Sequence, residues 1–384
     1  LAVLGSTAPG SLQAFDVSIA LGSVAARGTP VDPVSLAAAP GLPTLVGAAD
    51  GLVYELQAGA WAERVRGLYA RLIGATADDI AIIPSVSYGM ASVLGNVPVA
   101  AGQTIVTLAE DFPSTVFACR ALARRCEARH VSVERPAEGD WSAAILDAID
   151  GATALVVAPH VHWACGTQID LEAIGRRCRS VGASLVLDTT QSTGVLPLDL
   201  AAVDPDYRMV AGYKWMLGPY SLGFLYVAPR HQQGRPLEEA WITRAGAHDF
   251  QSLARYDEAL EPNARRFDMG ERSNFALLPV AGAAIAQLLE WGVENVAETL
   301  GEMTAAIAAR LEPAGIRASG SRAPHFLSVR FPGGLPEGID ARLAEAGVHV
   351  SLRGERMRIT PHLYNDEEDV ERLLAHLAPP LHLG

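Results

Sequence analysis

The stretch "SLVLDTTQSTGVLPLDLAAVDPDYRMVAGYKWMLGPY" (184–220) contains two apolar, strand-like runs and the only lysine of the chain. Asp188 ends the first run, and Gln191 comes three residues later. Lys214 follows the second run. Lysine and arginine together number 30, and all of them except Lys214 are arginine. A general preference for arginine explains why lysine is scarce, but it does not explain this exception. The exception points to chemistry that a guanidinium cannot perform.

Short runs rich in valine, isoleucine and leucine alternate with helix-like segments on both sides of this stretch. Most of these runs are apolar on both faces, as a parallel sheet covered by helices requires. The alternation predicts an α/β fold in which a mostly parallel, seven-stranded sheet lies between helices. The predicted strands span residues 79–85, 103–109, 128–134, 153–160, 184–190, 207–213 and 222–228.

Changes in the residue pattern along the sequence predict that the chain has three parts. Residues 1–45 form an N-terminal segment, residues 46–274 a large α/β domain, and residues 275–384 a smaller α+β domain. The last part begins with two long helix-like stretches. It ends with a helix for which Asn365 and Glu368 fit a capping box.

Composition and charge limit the function classes. Hydrophobic residues make up 49% of the chain, enough to bury a large core. The net charge of −13, with acids and bases interleaved, argues against nucleic acid or an anionic membrane as the main partner. No apolar run reaches the roughly 18–20 residues of a membrane span. The first basic residue is Arg27, so the N-terminus lacks the charged start of a secretory signal.

The four cysteines and the absent motifs narrow the choice further. No CxxC pair and no metal-ligand spacing is present, so we expect reduced thiols, a cytoplasmic location and no metal site. No Gly-x-Gly-x-x-Gly follows a strand, and no P-loop or HExxH helix occurs. A nucleotide-binding dehydrogenase or a non-catalytic binding domain on the same architecture is therefore the weaker alternative.

One cofactor needs both a buried carboxylate and a lysine amine. Ligands of open α/β sheets bind at the carboxyl ends of strands, where Asp188 and Lys214 are predicted to lie. Pyridoxal phosphate (PLP) is held by a lysine as a Schiff base, and an acid keeps its pyridine nitrogen protonated. The pair predicts a PLP site, against the alternatives of a surface lysine and an ordinary strand-end aspartate.

Two weaker features fit the same cofactor. Ser85, Val86 and Ser87 follow a predicted strand and open a helix, whose N-terminus would bind a phosphate. An ordinary serine N-cap gives the same pattern. Phe112 follows another predicted strand and would stack on a planar ring, although a core phenylalanine fits equally well.

Together these residues resemble the class V aminotransferase family of PLP enzymes of fold type I. The family includes cysteine desulfurases, selenocysteine lyases, kynureninases and isopenicillin N epimerases. Asp-x-x-Gln followed by the lysine-containing Gly-Pro loop is the most specific part of the resemblance, which runs from about residue 60 to residue 375. It implies that Lys214 holds PLP and moves protons, that Asp188 pairs with the pyridinium nitrogen, and that Gln191 contacts the ring hydroxyl.

The resemblance also implies roles for residues with less specific local patterns. Val86 and Ser87 would hold the phosphate, and Phe112 would stack on the ring. His162 in "HVHWACGT" occupies the position of an asparagine that contacts the ring oxygen in desulfurases, and a core histidine is the equal alternative. Tyr213 resembles the kynureninase tyrosine that contacts the phosphate.

On the substrate side, Arg358 in "RMRITPHLYNDEED" resembles the arginine that binds the substrate carboxylate, with Arg353 as a close competitor. Trp241 or the segment 266–275 would complete the site from a neighbouring subunit, because family members are homodimers with shared sites.

The family implies an enzyme acting on a small α-amino acid. Removal of the Cα proton leads to transamination, elimination or racemisation, and we favour an aminotransferase. The alternatives are a C–S, C–Se or C–C lyase, an epimerase, or a regulatory PLP protein without turnover. All cysteines lie at or before Cys178, whereas persulfide-forming desulfurases carry theirs in the C-terminal half, so transfer through an enzyme persulfide is not expected. Kynureninases usually carry histidine at the position of Gln191.

Overall fold

The computed structural model describes residues 51–136, 141–249 and 253–377, with side chains from residue 59 onward. The predicted N-terminal segment, residues 1–45, lies outside the described residues. By contacts, the described chain divides into two compact units. The first unit holds residues 97–205 and 291–377, and the second holds residues 51–96 and 206–290. The predicted domain division after residue 274 stays a prediction.

The seven predicted strands are confirmed, and they form one sheet in the order β1-β7-β6-β5-β4-β2-β3. Strand β2 pairs in parallel with β3 and β4, and β4 pairs in parallel with β5. Strand β7 pairs antiparallel with β1 and β6. The strands are β1 (Ile80–Ile83), β2 (Thr104–Leu108), β3 (Arg129–Val133), β4 (Thr153–Pro159), β5 (Ser184–Asp188), β6 (Tyr207–Ala211) and β7 (Gly223–Val227).

Burial differs between the two edge strands of the sheet. Strands β2, β4, β6 and β7 are buried over their whole length, as their apolar sequences predict, and so is the edge strand β1. Strand β3 ends the sheet on one side, and Arg129 at its start is exposed. An edge strand needs only one apolar face, which accounts for the mixed sequence "RHVSV".

Helices accompany this sheet in the chain order that the alternation predicted. They are α1 (Gly51–Ile73), α2 (Val86–Leu94), α3 (Pro113–Arg125), α4 (Trp141–Ala148), α5 (Leu171–Val181) and α6 (Leu200–Val203). Helix α5 shows why they form where they do. Its N-cap Asp170 accepts a hydrogen bond from the N–H of Ala173, and Gly182 ends the helix with a left-handed φ of 77°. Its apolar side, including Ile174, packs into the buried core of the first unit.

The C-terminal part of the chain forms a second, antiparallel sheet with four strands in the order β10-β11-β9-β8. Val329 and Met357 belong to one face of this sheet, in a buried cluster with Leu311 and Leu373 of the helices. The elements are α7 (Leu277–Trp291), α8 (Val293–Leu311), β8 (Arg317–Ala318), β9 (Leu327–Arg330), α9 (Ile339–Glu345), β10 (Ser351–Arg353), β11 (Arg356–Ile359) and α10 (Glu367–Leu377).

The start of α10 corrects one prediction by a single residue. Asp366, not Asn365, caps the helix, because its Oδ1 accepts hydrogen bonds from the N–H groups of Glu368 and Asp369. Asp369 in turn accepts from the N–H of Asp366 at 3.4 Å. The predicted box of Asn365 and Glu368 is therefore wrong, since the Asn365 amide oxygen accepts from the N–H of His362 in the preceding turn. Both pairs have the required spacing, and only the backbone path decides between them.

No helix of the described residues combines the length and the apolar character that crossing a membrane requires.

Candidate active site

The aspartate predicted to bind a pyridine nitrogen lies at the carboxyl end of β5. Asp188 is half-buried, and its Oδ1 accepts a hydrogen bond from the N–H of Thr190 at 2.9 Å. Gln191 is 6% exposed, and its backbone carbonyl accepts from Nε2 of His325 at 2.7 Å. Burial lowers the pKa of His325 to about 4, so the ring is neutral and acts as a donor. The turn after β5, which holds both predicted residues, is thus fixed from within the first unit.

The exit of β2 carries an acid that the sequence reasoning missed. Asp111 is 8% exposed, and its Oδ1 accepts from the N–H of Phe112 at 2.6 Å. Burial raises the pKa of Asp111 to about 6, and the charge of Asp188 adds to this, while His162 and the Phe112 N–H oppose it. A carboxylate directly after a buried strand was the available signal, but the adjacent aromatic residue drew the prediction instead.

His162 is fully buried and hydrogen-bonded at both ring nitrogens. Its ring stacks on Trp141 at 5.2 Å, Nε2 lies 3.3 Å from the carbonyl oxygen of Ala109, and Nδ1 lies 3.3 Å from Sγ of Cys165. Burial would raise the pKa of Cys165, but the hydrogen bond and charge of His162 lower it to about 6. The pairing also raises the pKa of His162 against the effect of burial. These contacts are those of a core histidine, and its contact with a cofactor stays a prediction.

Trp163 is a second residue that the sequence reasoning missed. Its Nε1 donates to the carbonyl oxygen of Glu110 at 2.7 Å, which fixes the indole beside the β2 exit. The ring meets Phe112 edge-on at 5.7 Å, and the guanidinium of Arg353 lies 5.5 Å from its centroid. Trp163 thereby connects the predicted ring-stacking residue to one of the predicted substrate arginines. An aromatic residue soon after the end of β4 was the local signal.

Arg358 of β11 is a half-buried cation without an acidic partner among the described residues. Its guanidinium lies 4.7 Å from the centroid of the Phe326 ring, and its Nε is buried with no hydrogen-bond partner. Ser328 lies opposite Arg358 across β9 and β11, and its Oγ is also buried and unpartnered. Burial and the charge of Arg353 lower the pKa of Arg358 to about 10, so it stays protonated at neutral pH.

The single lysine lies in the loop between β6 and β7, in the second unit. The N–H of Gly212 donates to Leu222 O and the N–H of Gly218 donates to Gly212 O, both at 2.9 Å, which closes the loop. Gly212 leaves no room for a side chain, because a Cβ there would lie 2.7 Å from Leu222 O. Lys214 is half-buried, and its Nζ lies 6.0 Å from the ring centroid of Tyr213. The two hydrogen bonds therefore fix the backbone of the loop that carries Tyr213 and Lys214.

The predicted phosphate site is the start of α2. Ser85 caps this helix by accepting from the N–H of Tyr88 at 3.2 Å, and its hydroxyl lies 2.9 Å from that of Ser87. The N–H groups of Val86 and Ser87 lie in the first turn, where no intrahelical acceptor exists. Two hydroxyls and free first-turn N–H groups at the positive end of a nine-residue helix suit an anion.

The polar segment before α7 is anchored by a buried ion network in the second unit. Asp268 is 1% exposed and accepts from Arg66 at 2.9 and 3.1 Å, from Arg272 at 2.7 Å, and from the N–H of Ile82 at 2.7 Å. Trp241 lies in a 3₁₀ turn and is 40% exposed. The predicted contribution of Trp241 and this segment to a neighbouring subunit stays a prediction.

Each unit thus brings some of the predicted residues together. In the first unit, Asp188 shares a turn with Gln191, Trp163 joins Phe112 to Arg353, and Arg353 lies near Arg358. In the second unit, Val86 neighbours Ser87 at the α2 start, and Tyr213 neighbours Lys214 in the loop. Across the described ranges, no three histidine, cysteine, aspartate or glutamate side chains are grouped as metal ligands would be.

The sequence is similar to known PLP-related proteins over most of its length. The family model described as Aminotransferase class-V matches residues 53–373. The uncharacterised aminotransferase YcbU of Bacillus subtilis is 26% identical over 340 residues, which cover 82% of this chain and 83% of the relative. A probable cysteine desulfurase of Methanothermobacter thermautotrophicus is 31% identical over 165 residues, which cover 43% of this chain and 41% of the relative.

The fold is that of solved PLP enzymes. The cystine C–S lyase C-DES has been solved with glycine covalently linked to its PLP cofactor and with its reaction product cysteine persulfide. Both structures match 94% of this chain at 20% identity with a TM-score of 0.77, over 91% and 93% of the C-DES chains. The predicted fold type I architecture is confirmed by this match.

Proposed function

Because the chain belongs to the class-V aminotransferase family, we propose that this PLP-dependent enzyme is an aminotransferase acting on an α-amino acid. The observation that carries the proposal is the unsatisfied pair of Arg358 and Ser328. The buried Nε of Arg358 and the buried hydroxyl of Ser328 each lack a hydrogen-bond partner, which costs free energy, and the carboxylate of an amino acid would satisfy both.

The side chains present fit the proposed cofactor. Lys214 would supply the amine that holds the cofactor aldehyde, and the sequence contains no other lysine that could do so. Asp188 supplies the carboxylate for the pyridine nitrogen, and the N–H groups of Val86 and Ser87 suit the phosphate. When bound, PLP supplies an electron sink for the electron pair left at the substrate Cα.

Each residue then has a defined task in the proposed reaction. Arg358 binds the substrate carboxylate through a two-pronged hydrogen bond and so orients the bonds at Cα. The amine of Lys214 would remove the Cα proton. Asp188 would keep the pyridine nitrogen protonated, and Gln191 would contact the ring hydroxyl. Phe112 would stack on the ring, and Trp163 meets Phe112 edge-on.

The remaining predicted residues act around this core. Tyr213, beside the lysine, would contact the phosphate, and His162 holds the β2 exit through its hydrogen bond to Ala109. We further propose a cytoplasmic homodimer in which the partly exposed Trp241 reaches the neighbouring subunit's site.

A C–S lyase is the second candidate, favoured by the 31% identity to a probable cysteine desulfurase. In a lyase the same residues would remove the Cα proton, and a sulfur group would leave from Cβ. Transfer through a protein persulfide is not favoured for this chain, because Cys119, Cys165 and Cys178 are buried and only Cys126 is partly exposed. We therefore assign direct release of sulfide or persulfide to this candidate.

A product assay separates the two candidates. The holoenzyme is incubated with single amino acids, with and without a 2-oxo acid acceptor, and the amino acid formed from the acceptor is measured beside ammonia, pyruvate and sulfide. Aminotransferase activity predicts stoichiometric conversion of the acceptor and no free ammonia. Release of pyruvate, ammonia and sulfide from cysteine, without amino transfer from any amino acid, would overturn the proposal in favour of the lyase.

A further inference from the structure

One face of the four-stranded sheet carries a row of arginines. Arg353 of β10 lies opposite Arg356 of β11, and Arg330 of β9 lies opposite Arg317 of β8. Continuing the β11–β9 register by one pair beyond Met357 and Val329 places Arg356 opposite Arg330, so the row crosses all four strands. Arg358 lies two residues after Arg356 on the same face, because side chains two apart in a strand point the same way.

The central members of this row lack acidic partners. Within the part of the chain that the structure describes, no ion pair involves Arg330, Arg353, Arg356 or Arg358. Arg356 donates only to the Ser319 hydroxyl at 2.8 Å, and its Nε is buried without a partner. A protein with a net charge of −13 has ample carboxylates, yet none of those in the described residues forms an ion pair with these cations.

Two cations and two acidic groups act electrostatically on Arg356. Burial lowers the pKa of Arg356, and the charges of Arg330 and Arg135 lower it further, whereas Cys165 and Glu110 oppose the effect. Glu110 is already ion-paired with Arg135, whose Nε is also buried without a partner. Of the two acidic groups that act on Arg356, Glu110 is therefore already paired with another arginine, next to the exit of β2.

The guanidinium of Arg356 belongs to the same strand as the proposed carboxylate site. Arg356 and Arg358 are separated by two residues of strand, which is about 6.6 Å. Arg353 connects them to the cofactor side, because its guanidinium covers Trp163, which contacts Phe112. A ligand whose α-carboxylate meets Arg358 would extend a side chain of a few atoms toward Arg356.

We propose that Arg356, assisted by Arg353, binds a second acid group at the end of the substrate side chain, so that the substrate is an acidic amino acid or the corresponding dicarboxylic 2-oxo acid. The inference rests on the proposed function, in which Arg358 binds the α-carboxylate. It goes further because it names the charge and the approximate length of the substrate. Two guanidinium groups bind the two ends, and a neutral side chain leaves Arg356 unsatisfied.

The test uses glutarate, which has two carboxylates and no amine, against valerate, which has one carboxylate on the same carbon chain. Calorimetric titration of the holoenzyme should show that glutarate binds more tightly than valerate. Arg356→Gln should weaken glutarate roughly tenfold or more and leave valerate unchanged. Arg317→Gln, at the exposed far edge of the row, is the matched control and should leave both unchanged. Arg353→Gln, in an exposed side chain, is a second variant should Arg356→Gln fail to fold.

Equal binding of glutarate and valerate, or an unchanged glutarate affinity in both site variants, would overturn the inference. So would the absence of measurable binding of either acid. Because glutarate binding requires no turnover, the result is independent of the amino-transfer assay. An enzyme that transfers no amino group but still discriminates glutarate from valerate would refute the proposed function and keep the anion site.

Discussion

Two clusters of arginine side chains in this protein differ in whether a carboxylate pairs with them. In the second unit, Arg66 and Arg272 surround Asp268, and the side chains of Arg66 and Asp268 are fully buried. On the small sheet of the first unit, Arg356 and Arg358 bury Nε atoms without any acidic partner among the described residues. A buried cation that is paired within the chain has its charge compensated, so that losing the partner is costly, whereas one left unpaired is a candidate for an external anion.

The buried acids show the same contrast. Asp268 accepts hydrogen bonds from two arginines, whereas Asp111 accepts from the N–H of Phe112 and has no arginine within ion-pair distance among the described residues. The pKa of Asp111 is accordingly raised to about 6 by burial. Burial alone therefore does not distinguish structural charges from functional ones, and the distinguishing feature is whether the chain supplies the opposite charge.

The largest effect is expected from removing the acid of the paired cluster. Asp268→Asn leaves Arg66 buried without its counter-charge, so we expect the free energy of unfolding to fall by roughly 3–5 kcal/mol. Urea unfolding at one pH measures the change. Glu172→Gln, which removes an exposed pair with Arg176, is the control and should have a far smaller effect. A loss no larger than that of the control would show that the network does not carry the structural role assigned to it.

The unpaired acid should make stability depend on pH. Because burial raises the pKa of Asp111 from 3.8 to about 6, its contribution to the free energy of unfolding is fully present below about pH 4 and is lost as the pH rises through about 6. At about 1.4 kcal/mol per pH unit, the loss is on the order of 3 kcal/mol. Unfolding of the wild-type protein and of Asp111→Asn between pH 4 and pH 8 measures it. A constant difference between the two proteins across this range would contradict the assignment.

Removing the cation from the unpaired cluster should affect catalysis rather than stability. Arg358→Gln removes the group that we propose binds the substrate carboxylate, so kcat/KM should fall roughly 10- to 100-fold. The free energy of unfolding should not fall, because no partner loses a charge. Steady-state kinetics and urea unfolding of the same preparation give both quantities. A stability loss comparable to that of Asp268→Asn, with unchanged kinetics, would show that Arg358 has a structural role and does not bind the substrate.

Supplying the missing acid should have the smallest effect. Ser351 lies opposite Arg358 across β10 and β11, so Ser351→Glu places a carboxylate beside the unpaired guanidinium. We expect the free energy of unfolding to rise by up to about 1 kcal/mol and KM for the substrate to rise severalfold. Ser351→Gln matches the size without the charge and should do neither. Identical kinetics for the two variants would mean that the charge of Arg358 does not hold the substrate.

The sequence predicted the elements whose cause is local. Each of the seven large-sheet strands lies inside its predicted range, because valine, isoleucine and leucine runs between turn residues specify them directly. Lys214 and Asp188 could be selected because one is unique and the other ends an apolar strand. The capping residue of α10 was missed by one position, because Asn365 and Asp366 both satisfy the spacing.

What the sequence did not predict depends on contacts between distant segments. Trp163 lies 190 residues before Arg353 in the chain, and no periodicity records that its ring lies under that guanidinium. Among the described residues, Arg356 and Arg358 have no acidic ion-pair partner, and the sequence does not show this. Glu355 is adjacent to Arg356 in sequence and yet forms no ion pair with it. Such relations require the packed structure.

The central claim is that Lys214 carries the cofactor. Borohydride reduction of the holoenzyme, followed by proteolysis and mass spectrometry, should place the pyridoxyl phosphate on the peptide that contains Lys214. Lys214→Arg keeps the positive charge but not the nucleophilic amine, and it should yield no labelled peptide and no turnover. Label on any other residue, or full activity of Lys214→Arg, would contradict the account.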